Sequence, residues 1–202
     1  MSLLSIDSIR TALGSHTPEE YPLRRTTRQA AVAVVLRHLG GSTEALFILR
    51  AKQQGDPWSG HMAFPGGHRE PGDASLRHAA ERETCEEIGL DIANRGEYLG
   101  QIDPVVANPR GRNIDMIVTP FVYALHEPGV KFSPNYEVAD VLWGSLNDMH
   151  SGEAHTMGSF LVSGETLSYP GFGVGSEIVW GLTYRMLDQF FAILDPDWTR
   201  LH

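Results

Sequence analysis

The chain has 202 residues, of which 42% are hydrophobic and 20% charged, a balance that suits one globular domain rather than a disordered chain. Lys and Arg number 16 against 25 Asp and Glu, a formal net charge of −9. That excludes the broad basic footprint of a nucleic-acid or membrane-surface binder, but not a local basic or metal-bearing site for an anionic substrate. The single cysteine, Cys85, excludes an intrachain disulfide and a Cys-rich zinc site. Apolar runs such as residues 30–36 fall far short of the ~20 residues of a membrane helix, and the N-terminus lacks a signal-peptide pattern. The expectation is a soluble, cytoplasmic protein without membrane or nucleic-acid partners.

Residues 3–13 predict a short helix and residues 16–22 a connector. Residues 1–28 are therefore read as an N-terminal helix and connector ahead of a main domain spanning 29–202. Residues 30–37 (AAVAVVLR) and 44–50 (EALFILR) are apolar and β-branched, and Gly40-Gly41-Ser42 between them predicts a hairpin. Residues 53–60 read as a loop, and Met62-Ala63-Phe64 as a short apolar stretch ending at Pro65-Gly66-Gly67. Residues 74–88 carry a helical pattern with Asp73 as N-cap and Gly89 after the last turn. Strands are expected at 97–102, 114–125 and 138–143, with a Pro/Gly/Arg loop at 103–112. A hairpin is expected around Gly164, a turn at 171–176, and a C-terminal helix over 177–194. Strands interspersed with helices predict an α/β (α+β) fold with a mixed sheet, not a bundle.

The informative segment is 66–90, GGHREPGDASLRHAAERETCEEIGL. On a helix, Glu83, Glu86 and Glu87 fall within roughly a 100° arc. That arc also holds Leu76, Ala79 and Ala80, so three carboxylates share the apolar face. Like charges at this spacing repel, and burial adds a desolvation cost. A hard, oxygen-seeking cation such as Mg²⁺ or Mn²⁺ reverses the sign of both effects. A solvated charge run is the alternative, but Arg-Glu-x-x-Glu-Glu arises by chance in roughly one chain in 10³ of this length. Gly66-Gly67 lets backbone approach a ligand, so a carbonyl at Gly67 can complete a coordination sphere. Arg82 is placed either to pair with Glu86 or to reach back and hold the loop. Cys85, on the far side of the helix, is expected to be a small packing residue.

These residues resemble the Nudix box, G-x5-E-x7-R-E-U-x-E-E-x-G-U with U a bulky apolar residue. The second half matches from Arg82 to Leu90, with Thr84 in the first U position. The first half departs. Asp73 stands for the first Glu, and eight residues instead of seven separate it from Arg82. Phe64-Pro65-Gly66-Gly67, Glu70 and Asp73 are similar to the coenzyme A diphosphatase branch, as are Trp180-Gly181-Leu182-Thr183. The strand ending Leu49-Arg50-Ala51 also fits that branch. The loop after it is one residue longer, however, and the second Arg expected near Gly55 is missing.

The resemblance implies a Nudix fold, with a mixed sheet between helices, and hydrolysis of a nucleoside diphosphate linked to another group. Coenzyme A or an acyl derivative is the first candidate substrate. The alternatives are another nucleoside diphosphate derivative, a nucleoside triphosphate, or a non-enzymatic nucleotide-binding regulator. It also implies Mg²⁺ or Mn²⁺ held by Gly67, Glu83, Glu86 and Glu87. The candidate catalytic set is Arg82, Glu83, Glu86 and Glu137, with either Glu83 or Glu137 as general base. Arg50, Lys52, Arg69, Arg110 and Arg112 are candidates for the substrate's negative charge, with Arg24, Arg25 and Arg28 as a second basic cluster. Trp58 is placed to stack on a base or to pack in the core. A homodimer is expected by analogy alone.

Overall fold

The structure is a computed structural model that describes residues 2–54, 58–107, 115–127, 129–162 and 164–199. Its centre is a mixed eight-stranded sheet with the path β3 (Met62–Ala63), β2 (Ser42–Arg50), β1 (Arg28–Leu39), β7 (Met116–Leu125), β5 (Gly96–Gln101), to which β4 (Gly66–His68), β6 (Val105–Ala107) and β8 (Val138–Ser145) are added at β1, β7 and β2. The expected hairpin forms from β1 (Arg28–Leu39) and β2 (Ser42–Arg50), antiparallel, with Leu36 opposite Ala45. β1 runs parallel to β7 (Met116–Leu125), and all ten residues of β7 are buried. A strand with both faces covered needs apolar residues at every position, which MIVTPFVYAL nearly supplies.

Helices cover both faces. On one side α2 (Leu76–Ile88) lays Ala79, Ala80 and Ile88 against Ala31, Val35, Leu46, Phe121 and Tyr123. On the other, α1 (Ile6–Ser15) and α5 (Gly181–Leu194) bury Ile9, Leu13, Leu187, Phe190 and Phe191 against Val34, Leu36 and Phe47. A sandwich with a mixed sheet at its centre is thus the observed architecture, as expected. Because α1 shares this core, the N-terminal segment packs as part of the same body. Among the described residues no helix is long and apolar enough to cross a membrane.

A second sheet of three strands, β9 (His155–Val162), β10 (Glu165–Val174) and β11 (Glu177–Trp180), turns at Gly164 where a hairpin was expected. The segment 171–176 is not simply a turn, since β10 runs to Val174. Nor is 177–194 one helix. Its first four residues are β11, and the helix starts at Gly181, whose φ of +63 breaks the strand.

Several short elements were not expected. They are β4 (Gly66–His68), α3 (Ile92–Arg95), β6 (Val105–Ala107) and α4 (Leu146–Ser151). β3 (Met62–Ala63), β5 (Gly96–Gln101) and β8 (Val138–Ser145) stand where strands or apolar stretches were expected.

Candidate active site

The site forms where β4 meets α2. β4 pairs antiparallel with β1, placing Gly67 opposite Ala31 and Gly66 opposite Val32. At Gly66 φ is +148, and a Cβ there would lie 2.2 Å from the Ala31 carbonyl oxygen, so only glycine fits this approach. At Gly67 the obstacle is functional. A Cβ would lie 2.5 Å from Cδ of Glu83 and 2.6 and 2.8 Å from its carboxylate oxygens. The Glu83 carboxylate therefore rests directly on the Gly67 backbone.

Helix α2 starts two residues later than expected. Its N-cap is Ser75, whose hydroxyl accepts the His78 N–H at 3.0 Å, not Asp73. Asp73 is buried and serves Arg82 instead. Oδ1 accepts from Arg82 Nε at 3.0 Å, and Oδ2 accepts from Nη2 at 3.1 Å and from the Glu70 N–H at 2.7 Å. The Arg82 guanidinium holds the Asp73 carboxyl below its ordinary value, at about 2. Arg82 also donates to the His68 carbonyl at 3.1 Å and lies 3.1 Å from Glu83 and 3.2 Å from Glu86. It thus takes both placements left open by the sequence, pairing with Glu86 and fastening the loop to the helix.

The three glutamates differ in depth. The Glu87 side chain is 3% exposed, Glu83 18% and Glu86 56%. Glu87 accepts the Gly66 N–H at 2.8 Å, and its other oxygen lies 4.0 Å from Arg50 Nη1. Burial pushes the Glu87 carboxyl up to about 7; the Gly66 N–H and Arg50 oppose this, while Glu83 and Glu137 add to it. Burial likewise raises Glu83, against the opposing charge of Arg82. Glu86 faces outward beside Arg82, which corrects the expectation of one shared apolar face. Cys85 is exposed instead of packed, and Thr84 is the buried residue there, its hydroxyl donating to the Ala80 carbonyl at 2.7 Å.

The loop carrying Glu137 is fastened to the C-terminal end of α2. Ser133 N–H donates to the Ile88 carbonyl and Asn135 N–H to the Glu87 carbonyl, both at 2.8 Å, satisfying helix-end groups that lack intrahelical partners. The Glu137 carbonyl accepts from Ala51 N–H at 2.7 Å. This brings Glu137 and the end of β2, with Arg50, close enough to Glu87 for both charges to act on it. Lys52 is exposed on the next stretch of chain, and Arg69 is exposed with its guanidinium donating to Gln29 at 3.1 Å. Arg24, Arg25 and Arg28 are exposed ahead of β1, and Trp58 packs against the main core. Arg110, Arg112 and Gly55 lie outside the described residues. A cavity of about 370 Å³ lies on the other flank of α2, between Leu23, Arg77 and Phe121, and is not lined by the glutamates.

Among the described residues no three His, Cys, Asp or Glu side chains converge as a ready metal cage. What converges is a pair of acidic oxygens with raised proton affinity, Glu83 and Glu87, against a backbone turn made close by two glycines. Carboxylates and carbonyls are hard donors that suit Mg²⁺ or Mn²⁺, and a cation there would offset the repulsion between the two. The residues present fit a divalent ion.

The family follows. The model of the NUDIX domain matches residues 27–161, and the chain belongs to this family. Nudix hydrolases generally use divalent metal ions and act on nucleoside diphosphate substrates, so the expected pyrophosphohydrolase class is borne out. More particularly, the chain is 28% identical over 177 residues to the mouse (Mus musculus) mitochondrial coenzyme A diphosphatase NUDT8, spanning 86% of this chain and 81% of that one. The human protein of the same name is 29% identical over 180 residues, 86% of this chain and 72% of that one. An uncharacterised protein of Schizosaccharomyces pombe is 34% identical over 114 residues, 55% of this chain but only 34% of its own length. A crystal structure of a MutT/nudix family protein from Enterococcus faecalis aligns with a TM-score of 0.51 at 19% identity, covering 94% of this chain and 67% of that one. It shares the fold.

Proposed function

We propose that this protein hydrolyses the diphosphate linkage of coenzyme A or acyl-coenzyme A, releasing 3′,5′-ADP and (acyl-)4′-phosphopantetheine, with Mg²⁺ or Mn²⁺. The observation that carries the chemistry is the Glu83 carboxylate seated on Gly67 beside the buried Glu87. The substrate reading rests on the likeness to the two coenzyme A diphosphatases over most of the chain. The missing Arg near Gly55 favours a second reading, in which another nucleoside diphosphate derivative is the preferred substrate.

In this reading Glu83 and Glu87 hold the metal with the Gly67 carbonyl, and Glu86 assists from the exposed edge. An ion held by these groups would supply positive charge at the diphosphate and would lower the pKa of a water. Arg82 positions Glu83 by holding the β4–α2 loop in place. Glu137, beside Glu87, is the alternative to Glu83 as general base. Arg50 and Lys52, with Arg69, Arg110 and Arg112, receive the substrate's phosphates. The division at residue 28, a homodimer and a cytoplasmic location belong to the same proposal.

The test is a product assay with Mg²⁺ or Mn²⁺. Coenzyme A is offered beside ADP-ribose, a diadenosine polyphosphate and a nucleoside triphosphate. Preferred release of 3′,5′-ADP supports the proposal, preference for another diphosphate supports the second reading, and nucleotide binding without turnover overturns both.

A further inference from the structure

The three-stranded sheet has one face in the core and one turned outward. Phe172, Val174 and Val179 are buried on the inner face. In the register Gly171 lies opposite Trp180, Tyr169 opposite Gly158, and Phe160 opposite Leu167, so Trp180, Tyr169 and Phe160 share the outer face. That face is floored by glycine. A Cβ on Gly158 would lie 2.5 Å from the Phe160 ring, and one on Gly171 would lie 2.6 Å from the Ile178 side chain. Space is left for rings, and the rings fill it as a stack. Phe160 and Trp180 lie 3.8 Å apart with planes 14° from parallel, and Tyr169 and Trp180 lie 5.5 Å apart at 25°. His61 meets Trp180 edge-on at 4.6 Å. All four rings are partly exposed. The core does not need this arrangement, because the inner face already anchors the sheet.

The stack is continuous with the candidate active site. The His61 carbonyl accepts the Arg50 N–H at 3.0 Å, and the Arg50 guanidinium reaches towards Glu87. The Lys52 side chain runs alongside Gly60, next to His61. A phosphate chain held near Arg50 and Lys52 therefore has an aromatic wall within one residue of its cationic contacts. Stacked, partly exposed rings beside cations are what a nucleotide requires, since every base has a π-face and the rings need no hydrogen-bond code.

We propose that His61, Phe160, Tyr169 and Trp180 form the stacking subsite for the nucleobase of the nucleotide substrate. The proposal rests on the diphosphatase reading for its ligand, but its test does not require turnover. Adenosine 3′,5′-bisphosphate is titrated into metal-free protein and followed by tryptophan fluorescence, with ribose 5-phosphate as the base-free control. The wild type is expected to bind the nucleotide and to ignore the control. The double variant Phe160→Ala/Tyr169→Ala is expected to bind roughly 5- to 150-fold more weakly, the range for loss of base–aromatic stacking. Its KM for coenzyme A rises with kcat little changed, and Tyr169→Phe, which keeps the ring, retains wild-type affinity.

Unchanged affinity and KM in a folded double variant would overturn the proposal while leaving the hydrolase reading intact. So would a wild-type dimer that the double variant dissociates, since the rings would then belong to a contact between copies. Ring-dependent nucleotide affinity in a wild type that hydrolyses no diphosphate would keep the subsite and remove the hydrolase reading.

Discussion

Replacing Asp73 with Asn removes one charge and little volume. Asp73 receives two Arg82 N–H groups and one from Glu70, and His78 Nδ1 lies 3.1 Å from the same carboxylate. An amide offers one oxygen to these donors and turns an N–H₂ group against another, leaving Arg82 partly unpaired. The carboxyl sits at about 2 when folded against an ordinary 3.8. At ~1.36 kcal/mol per pKa unit, that difference is roughly 2–3 kcal/mol in favour of the charged, folded form. For a chain of this size the expected loss is about 5–10 °C in Tm at neutral pH. The sign with pH follows from the lowered value. The contribution is complete above about pH 4 and disappears as pH falls through about 2. Thermal unfolding of wild type and Asp73→Asn from pH 7 to pH 2 should therefore show a gap that closes only on the acid side. A variant within about 1 °C of wild type at pH 7, or a gap independent of pH down to 2, refutes the assigned role.

Gly67→Ala drives a methyl group into the Glu83 carboxylate. Displacement of about 1 Å at a reacting centre costs on the order of 10²-fold in rate, so kcat should fall by that much while circular dichroism stays native. Glu83→Gln removes a charge without changing shape. Nearly all turnover should be lost, Mn²⁺ binding by calorimetry should weaken, and retention of most activity would remove Glu83 from the site. Ser75→Ala deletes the observed N-cap of α2 and should cost about 1 kcal/mol, a Tm loss of about 2–4 °C. Asp73→Glu, nearer to the family's pattern, should still destabilise by about 1–3 kcal/mol, because an added methylene overfills a buried position; a Tm equal to wild type would contradict that packing argument.

The long elements were legible because pattern and environment agree. Residues 30–37 and 44–50 are apolar where both faces of the sheet are covered, and Gly89 ends α2 at φ +68. The misses are places where local pattern carries no information about the partner. β4 is Gly-Gly-His, with no strand propensity; it exists because β1 leaves its residues 30–32 unpaired by β2. β11 is apolar at helical and strand spacing alike, and Gly181 decides between them. Glu86 shows the same limit within the site. Its helical position is one step from that of Glu87, but Thr84 and Ile88 extend the buried stripe away from it. Helical spacing shows which residues are neighbours on the surface, not where the stripe is centred.

The departures at Asp73 are better read as one change than as two. An aspartate is a methylene shorter than a glutamate, so at the family's spacing its carboxylate would stop short of the arginine. Here the chain between them is one residue longer, and the helix begins only at Leu76. The stretch from 69 to 75 is free to fold back, with Asp73 N–H donating to the Glu70 carbonyl and Asp73 accepting the Glu70 N–H. That closed turn carries the shorter carboxylate to the Nε–Nη2 edge of the Arg82 guanidinium. The interaction that matters downstream is thereby preserved. Arg82 still spans from the loop carbonyl of His68 to Glu83, and Glu83 still rests on Gly67. In this chain the longer spacing and the shorter side chain together hold the Glu83 carboxylate against the glycine turn.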